Sequence, residues 1–184
     1  MHPLKTTSAA LAGVAVLSMI VVQFAPWASF ETSSSSPGVD FGFGSTPGFN
    51  FDVEMTSFLW EAETTVNGGS QDTSWYDSDM DDADGIGQIR TAIPMLLVGG
   101  VVVLAGALLG AARPGSTGAV LTLAGGVLLT VGTILFGIGT DNLYGDADYS
   151  WAVSFYFAIV ACALAVGGGL VSLMASNQGA KASF

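Results

Sequence analysis

Asp77, Asp79, Asp81, Asp82 and Asp84 crowd one short stretch, and a single arginine, Arg90, follows them. Carboxylates at alternating positions are the hard oxygen ligands that calcium takes, and Asp77, Asp79 and Asp81 have that spacing. The register then departs from a calcium loop. Its sixth position, which wants glycine for a sharp turn, is Asp82, and its twelfth, which wants glutamate, is Gln88. Three readings of the run stay open: a solvated acidic face suited to high salt, a cation-binding surface made of these aspartates, or a surface for a protein partner. No metal is assigned.

Other chemistry-bearing residues are scarce. His2 is the only histidine and Cys162 the only cysteine, so zinc, haem and Ser-His-Asp chemistry lack their usual residues, and no intrachain disulfide can form. The glycine-rich stretch "GGVVVLAGALLG" is followed by no Lys-Ser/Thr pair, so it is not a phosphate loop. The reading is of a protein that is not an enzyme, with no catalytic residue and no cofactor.

The elements that must carry these residues are apolar. The 184-residue chain is 51% hydrophobic and 10% charged, against about 25% charged for a soluble domain. Four stretches are long enough to cross a bilayer as helices, at about 8–30, 91–112, 117–139 and 151–175. No acid or base falls inside them, which removes the side chains a proton-coupled transporter needs. The first stretch is read as an uncleaved helix, because Pro26 and Trp27 stand where a signal peptidase wants small residues. Glycine pairs such as Gly106 and Gly110, or Gly118 and Gly126, predict close helix packing.

Charge orients the bundle. Lys5, Arg113 and Lys181 flank the helices on one side, which the positive-inside rule makes cytoplasmic. All 15 acids fall elsewhere, in an outer loop over 31–88 and a second outer loop over 140–150. The expectation is a multi-pass protein of the plasma (cell) membrane, with both termini cytoplasmic and the large loop outside. The net charge of −11 lies on the outer surface, so nucleic acid is excluded as a partner by repulsion. Partners are the bilayer, the protein itself or other membrane proteins, with cations drawn to the outer surface.

Within the large loop, "ETSSSSPG" reads as a flexible start. Phe49, Phe51, Val53 and Met55 then alternate with polar residues, the mark of a half-buried strand. "SFLWEAETTV" continues the alternation, "VDFGF" at 39–43 offers a glycine-weakened strand, and "NGGS" at 67–70 is a hairpin turn that returns the chain through "QDTSWY". The sum is a small antiparallel sheet of three to five strands, with Trp60 as its buried anchor.

These residues resemble the claudin and peripheral-myelin-protein superfamily. "APWASF" with Trp27 stands at the end of the first helix, "FLW" with Leu59 and Trp60 where the family has Gly-Leu-Trp, "WYDS" with Tyr76 and Asp77 where it has aromatic-Asp-Ser, and Arg90 at the outer start of the second helix. Phe58 replaces the motif glycine, and Glu63 and Thr73 stand where the family carries cysteines. The resemblance implies a single membrane domain of mixed α+β class: a four transmembrane helix bundle under a small antiparallel outer sheet formed mainly by the first loop. It implies Arg90 as a cap hydrogen-bonded beneath the sheet, and a non-enzymatic role in self-association, partner contact or a cation-favouring passage. The alternative is an accessory structural subunit of a larger membrane enzyme or transporter.

Overall fold

The computed structural model describes residues 3–36, 49–112, 116–145 and 147–181. The expected strand at 39–43 lies outside them. In chain order the elements are α1 (Pro3–Val22), β1 (Ala28–Ser36), β2 (Phe49–Ser57), β3 (Glu61–Val66), β4 (Gly69–Ser74), α2 (Ile86–Ala112), α3 (Thr117–Tyr144), β5 (Tyr149–Trp151) and α4 (Val153–Lys181). Among the described residues, α2, α3 and the Val153–Ser176 part of α4 are long and apolar enough to cross a membrane. The apolar part of α1, Ala10–Val22, is shorter.

The first helix stops well short of the expected limit at 30. Pro26 has no N–H to give the Val22 carbonyl, and it disfavours helical geometry at the residue before it. The orphaned Val22 oxygen is met instead by the indole N–H of Trp27 at 2.7 Å. Released from the helix, the chain enters β1 directly. The "ETSSSS" segment, expected to be loose, is thus most of a nine-residue strand inside the sheet.

The five strands run in the order β4-β3-β2-β1-β5, all neighbours antiparallel. Ser57 pairs with both Ala28 and Ala62, forming a row of small buried residues where the sheet meets the helix ends. The Asn67-Gly68 turn joins β3 to β4 with both residues at positive φ, the geometry that matches strand twist in a two-residue hairpin. β5, from the second loop, pairs with only Ala28, Ser29 and Phe30 of β1. Both loops therefore lie at one end of the bundle.

Below the sheet, α2 and α3 meet along a glycine seam. Gly118, Gly125, Gly132 and Gly139 recur every seven residues on α3, facing Gly85, Ala92, Gly99 and Gly106 on the α2 side. A side-chain carbon added at Gly106 would lie 2.5 Å from the Thr122 nitrogen, and one at Gly125 would lie 2.6 Å from that of Val103. A strict period of seven keeps a seam against its partner helix along its length. The sequence pairing of Gly118 with Gly126 divides here, since Gly126 faces Val166 of α4. α1 attaches to α4, where Ser8 Oγ donates to the Gly168 carbonyl at 2.9 Å.

Candidate functional site

Strand register decides which acids share a face. Successive side chains alternate across a strand, and the pairing puts Glu31, Asp52, Glu54, Glu61, Glu63 and Asp72 on one face of the sheet. Glu31 stands directly opposite Glu54, and Glu63 opposite Asp72. The remaining positions of this face are serine, threonine and asparagine. Like charges directly opposed are destabilising, so this face is held open by the sheet rather than by its own side chains. The opposite face carries Phe30, Val53, Met55 and Ala62, and its end nearest the bundle covers the helix ends.

Arg90, in the second turn of α2, fastens the last part of the loop. Its Nε donates to the Trp75 carbonyl at 2.5 Å, one terminal nitrogen to the Asp77 carbonyl at 2.9 Å, and the other to Asp81 Oδ1 at 2.6 Å. The planar guanidinium fork suits several acceptors at once. Tyr76 Oη donates to the Arg90 carbonyl at 3.2 Å, and its ring lies 6.0 Å from the guanidinium carbon.

The acidic run itself folds as consecutive tight turns. Met80 N–H donates to the Asp77 carbonyl, Asp81 N–H to that of Ser78, and Ala83 N–H to that of Met80. Asp77, Asp81, Asp82 and Asp84 are exposed, and the side chain of Asp79 lies outside the description. Among the described residues, no three groups of metal-ligating type come together.

The tryptophans divide differently from the expectation. Trp27, Leu59 and Trp75 are fully buried, whereas Trp60 is 39% exposed. Trp60 is not the anchor. It sits in the turn between β2 and β3, where Phe58 N–H donates to the Glu61 carbonyl, and this turn interrupts the alternation read through "SFLWEAETTV". Leu59 enters the bundle and Trp60 is turned outward. Trp75 takes the anchoring place: its indole donates to the Phe58 carbonyl at 2.9 Å and Arg90 holds its own carbonyl. Alternation along β4 places Gln71, Thr73 and then Trp75 on the inner face, so the signal was present in "SQDTSW". Trp27 packs on Phe136 with ring centres 4.5 Å apart.

The second loop adds an aromatic row. Tyr144 stacks on Tyr149 at 4.9 Å, Tyr149 meets Trp151 edge-on at 5.2 Å, and Trp151 stacks on Phe155 at 4.0 Å. Tyr144 Oη and Ser57 Oγ hydrogen-bond at 2.7 Å, tying α3 to β2. Tyr149 donates to Asp141 Oδ1 at 2.9 Å. Burial, then the hydrogen bond and charge of Asp141, push the Tyr149 phenol up to about 12.

No family model matches the chain, and no curated protein matches it.

Proposed function

We propose that this is a non-enzymatic, claudin-like protein of the cell membrane, with four spans, both termini cytoplasmic and the sheet outside. It acts through the acidic face of that sheet, in self-association, in contact with a partner, or by lining a passage that favours cations. One observation carries the reading: carboxylates of β1, β2, β3 and β4 share one face, which apart from them holds only hydroxyl and amide side chains. Such a face attracts cations and cationic surfaces and repels anions. Arg90 serves it by fixing the loop end to α2. The short α1 counts as a span because its 20 residues, Pro3–Val22, reach about 30 Å at the rise of an α-helix, about the thickness of the hydrocarbon core.

Two measurements test this. A probe at Asn67 or Asn142 is reached from outside intact cells and one at Ser116 is not; outside access to Ser116 reverses the orientation. Native mass measurement after mild detergent extraction, repeated with Glu31, Glu54, Glu63 and Asp72 changed to their amides, reads the role of the face. Complexes that survive the four changes intact, with cation flux also unaltered, remove the acidic face from the function.

A further inference from the structure

β1 is longer than the strands that flank it. On one side β5 reaches only to Phe30, and on the other β3 leaves β2 at Val53, the partner of Thr32. Beyond those points, among the described residues, Asn67 of the β3–β4 turn still bonds Asp52, and β1 and β2 then continue as a two-stranded ribbon, with Ser33 paired to Asp52, Ser34 to Phe51, Ser35 to Asn50 and Ser36 to Phe49. A bare two-stranded ribbon is marginal in water. Among the described residues, the edge of β1 over residues 31–36 therefore presents backbone groups with no strand partner, in line with an existing strand, and Glu31, Thr32, Ser33 and Ser34 are all exposed. Natural edges of this kind are commonly blunted by lysine, proline or a bulge. This one has none of these along the paired strand.

Resting on the reading of the outer sheet as a contact surface, we propose that the free edge of β1 accepts an extended, lysine- or arginine-bearing strand of another protein, which continues the line that β5 begins. Backbone pairing gives such an added strand its affinity, and its side chains give it specificity. Charge selects the guest. Glu31, Asp52 and Glu54 lie on one face beside this edge, so a guest strand with basic residues on that face meets opposite charge. A second copy does not fit. Its own strands bring the same carboxylates; Lys5 is in the first turns of α1, Lys181 closes α4, and Arg113 follows α2 in the sequence, which leaves only Arg90, itself bound beneath the sheet. The acidity that invites a basic strand thus keeps two copies from zipping edge to edge, a form of specificity by repulsion.

The test uses the full chain in discs of zwitterionic lipid and a ten-residue peptide alternating lysine with valine or threonine. Hydrogen exchange locates the binding. The peptide is expected to protect the amides of residues 31–36, and an otherwise identical peptide with glutamate for lysine is expected not to. Two further peptides are N-methylated at alternate amides, one in each frame. A strand in a ladder uses only one set of its amides, so one frame should bind about tenfold more weakly or worse, as expected for losing two or more net hydrogen bonds, while the other binds normally. The double variant Glu31→Lys with Glu54→Lys should exchange the preference for basic and acidic peptides. Equal binding in both methylated frames, protection elsewhere on the sheet, or no binding of the basic peptide overturns the proposal. The amide-substituted sheet face described above separates the two ideas: if those changes still abolish complexes while the peptide does not bind, the contact surface stands and the strand guest falls.

Discussion

The hydroxyl of Tyr76 donates to the main-chain carbonyl of Arg90, the oxygen that Pro94 leaves without its helical donor. A proline inside a helix removes the hydrogen bond to the residue four positions earlier. Here a loop residue supplies the missing proton, so the kink-prone point of α2 becomes an attachment point for the loop. Trp27 does the same for Val22, whose donor would have been Pro26. Both residues of the loop that replace a proline N–H are aromatic with a polar handle, the type suited to a boundary between lipid and water.

This arrangement predicts coupling. Tyr76→Phe should destabilise the attachment by about 1 kcal/mol, the usual net value of one hydrogen bond. Pro94→Ala restores an N–H at the right place, and in that background Tyr76→Phe should cost much less. A double-mutant cycle on unfolding in mixed micelles measures it, and additive effects would show that Tyr76 does not serve the Arg90 carbonyl.

The arginine fork predicts a difference between its acceptors. Arg90→Ala removes all three donors, two of them to backbone carbonyls, and should raise amide exchange over residues 75–84 by an amount equivalent to about 2 kcal/mol or more. Asp81→Asn should change it by less than about 1 kcal/mol, since that carboxylate is largely exposed and screened. Comparable effects of the two changes would mean that the ion pair, rather than the carbonyl contacts, holds the loop.

The two neighbouring tryptophans should respond unequally. Trp75→Ala empties a fully buried site and should destabilise the outer domain by about 3–5 kcal/mol. Trp60→Ala should leave the loop nearly as resistant to protease as before. Protease sensitivity gained only with Trp60→Ala would restore Trp60 as the anchor.

Gly85 joins two demands in one residue. Its φ is +82°, and a side-chain carbon there would collide with the Gly139 carbonyl. Left-handed geometry at a non-glycine residue costs about 1–3 kcal/mol before any overpacking is counted. Gly85→Ala should therefore be clearly destabilising, whereas Gly87→Ala, with nothing near the added carbon, should be neutral or stabilising. Thermal unfolding of the pair in detergent decides it.

Tyr149 gives a pH response with a defined sign. Its phenol is raised from 10.0 to about 12, by burial first and then by Asp141. The folded protein therefore holds a proton that the unfolded chain releases near 10. The stability this contributes is complete below pH 10 and is lost as pH rises through about 12. Asp141→Asn should bring the phenolate absorbance change to lower pH, and an unmoved titration would rule out the Tyr149–Asp141 bond in solution.

How much of this was legible depended on period. The alternation from Phe49 to Met55 marked β2, and the long charge-free runs marked α2, α3 and α4, because each signal repeats over many residues. β1 was hidden because a run of serines has no alternation to read; it is a strand through its partners, β2 and β5. Trp60 misled for a related reason, since one tight turn at 58–61 shifted the face of everything near it. The seven-residue glycine spacing was visible in the letters but not its partner, because glycine pairs recur throughout these helices and only packing shows which ones face each other.

The strand order has a consequence for the birth of the protein. β1 follows α1 immediately, yet its neighbour β5 is encoded after α3. A chain emerging from the ribosome can pair β1 to β4 among themselves long before β5 exists. The edge at Ala28, Ser29 and Phe30 stays open through the synthesis of α2 and α3, and closes when the segment after α3 brings β5 back to it. The sheet is thus a clasp fastened late, and its closure reports that α3 has reached its place.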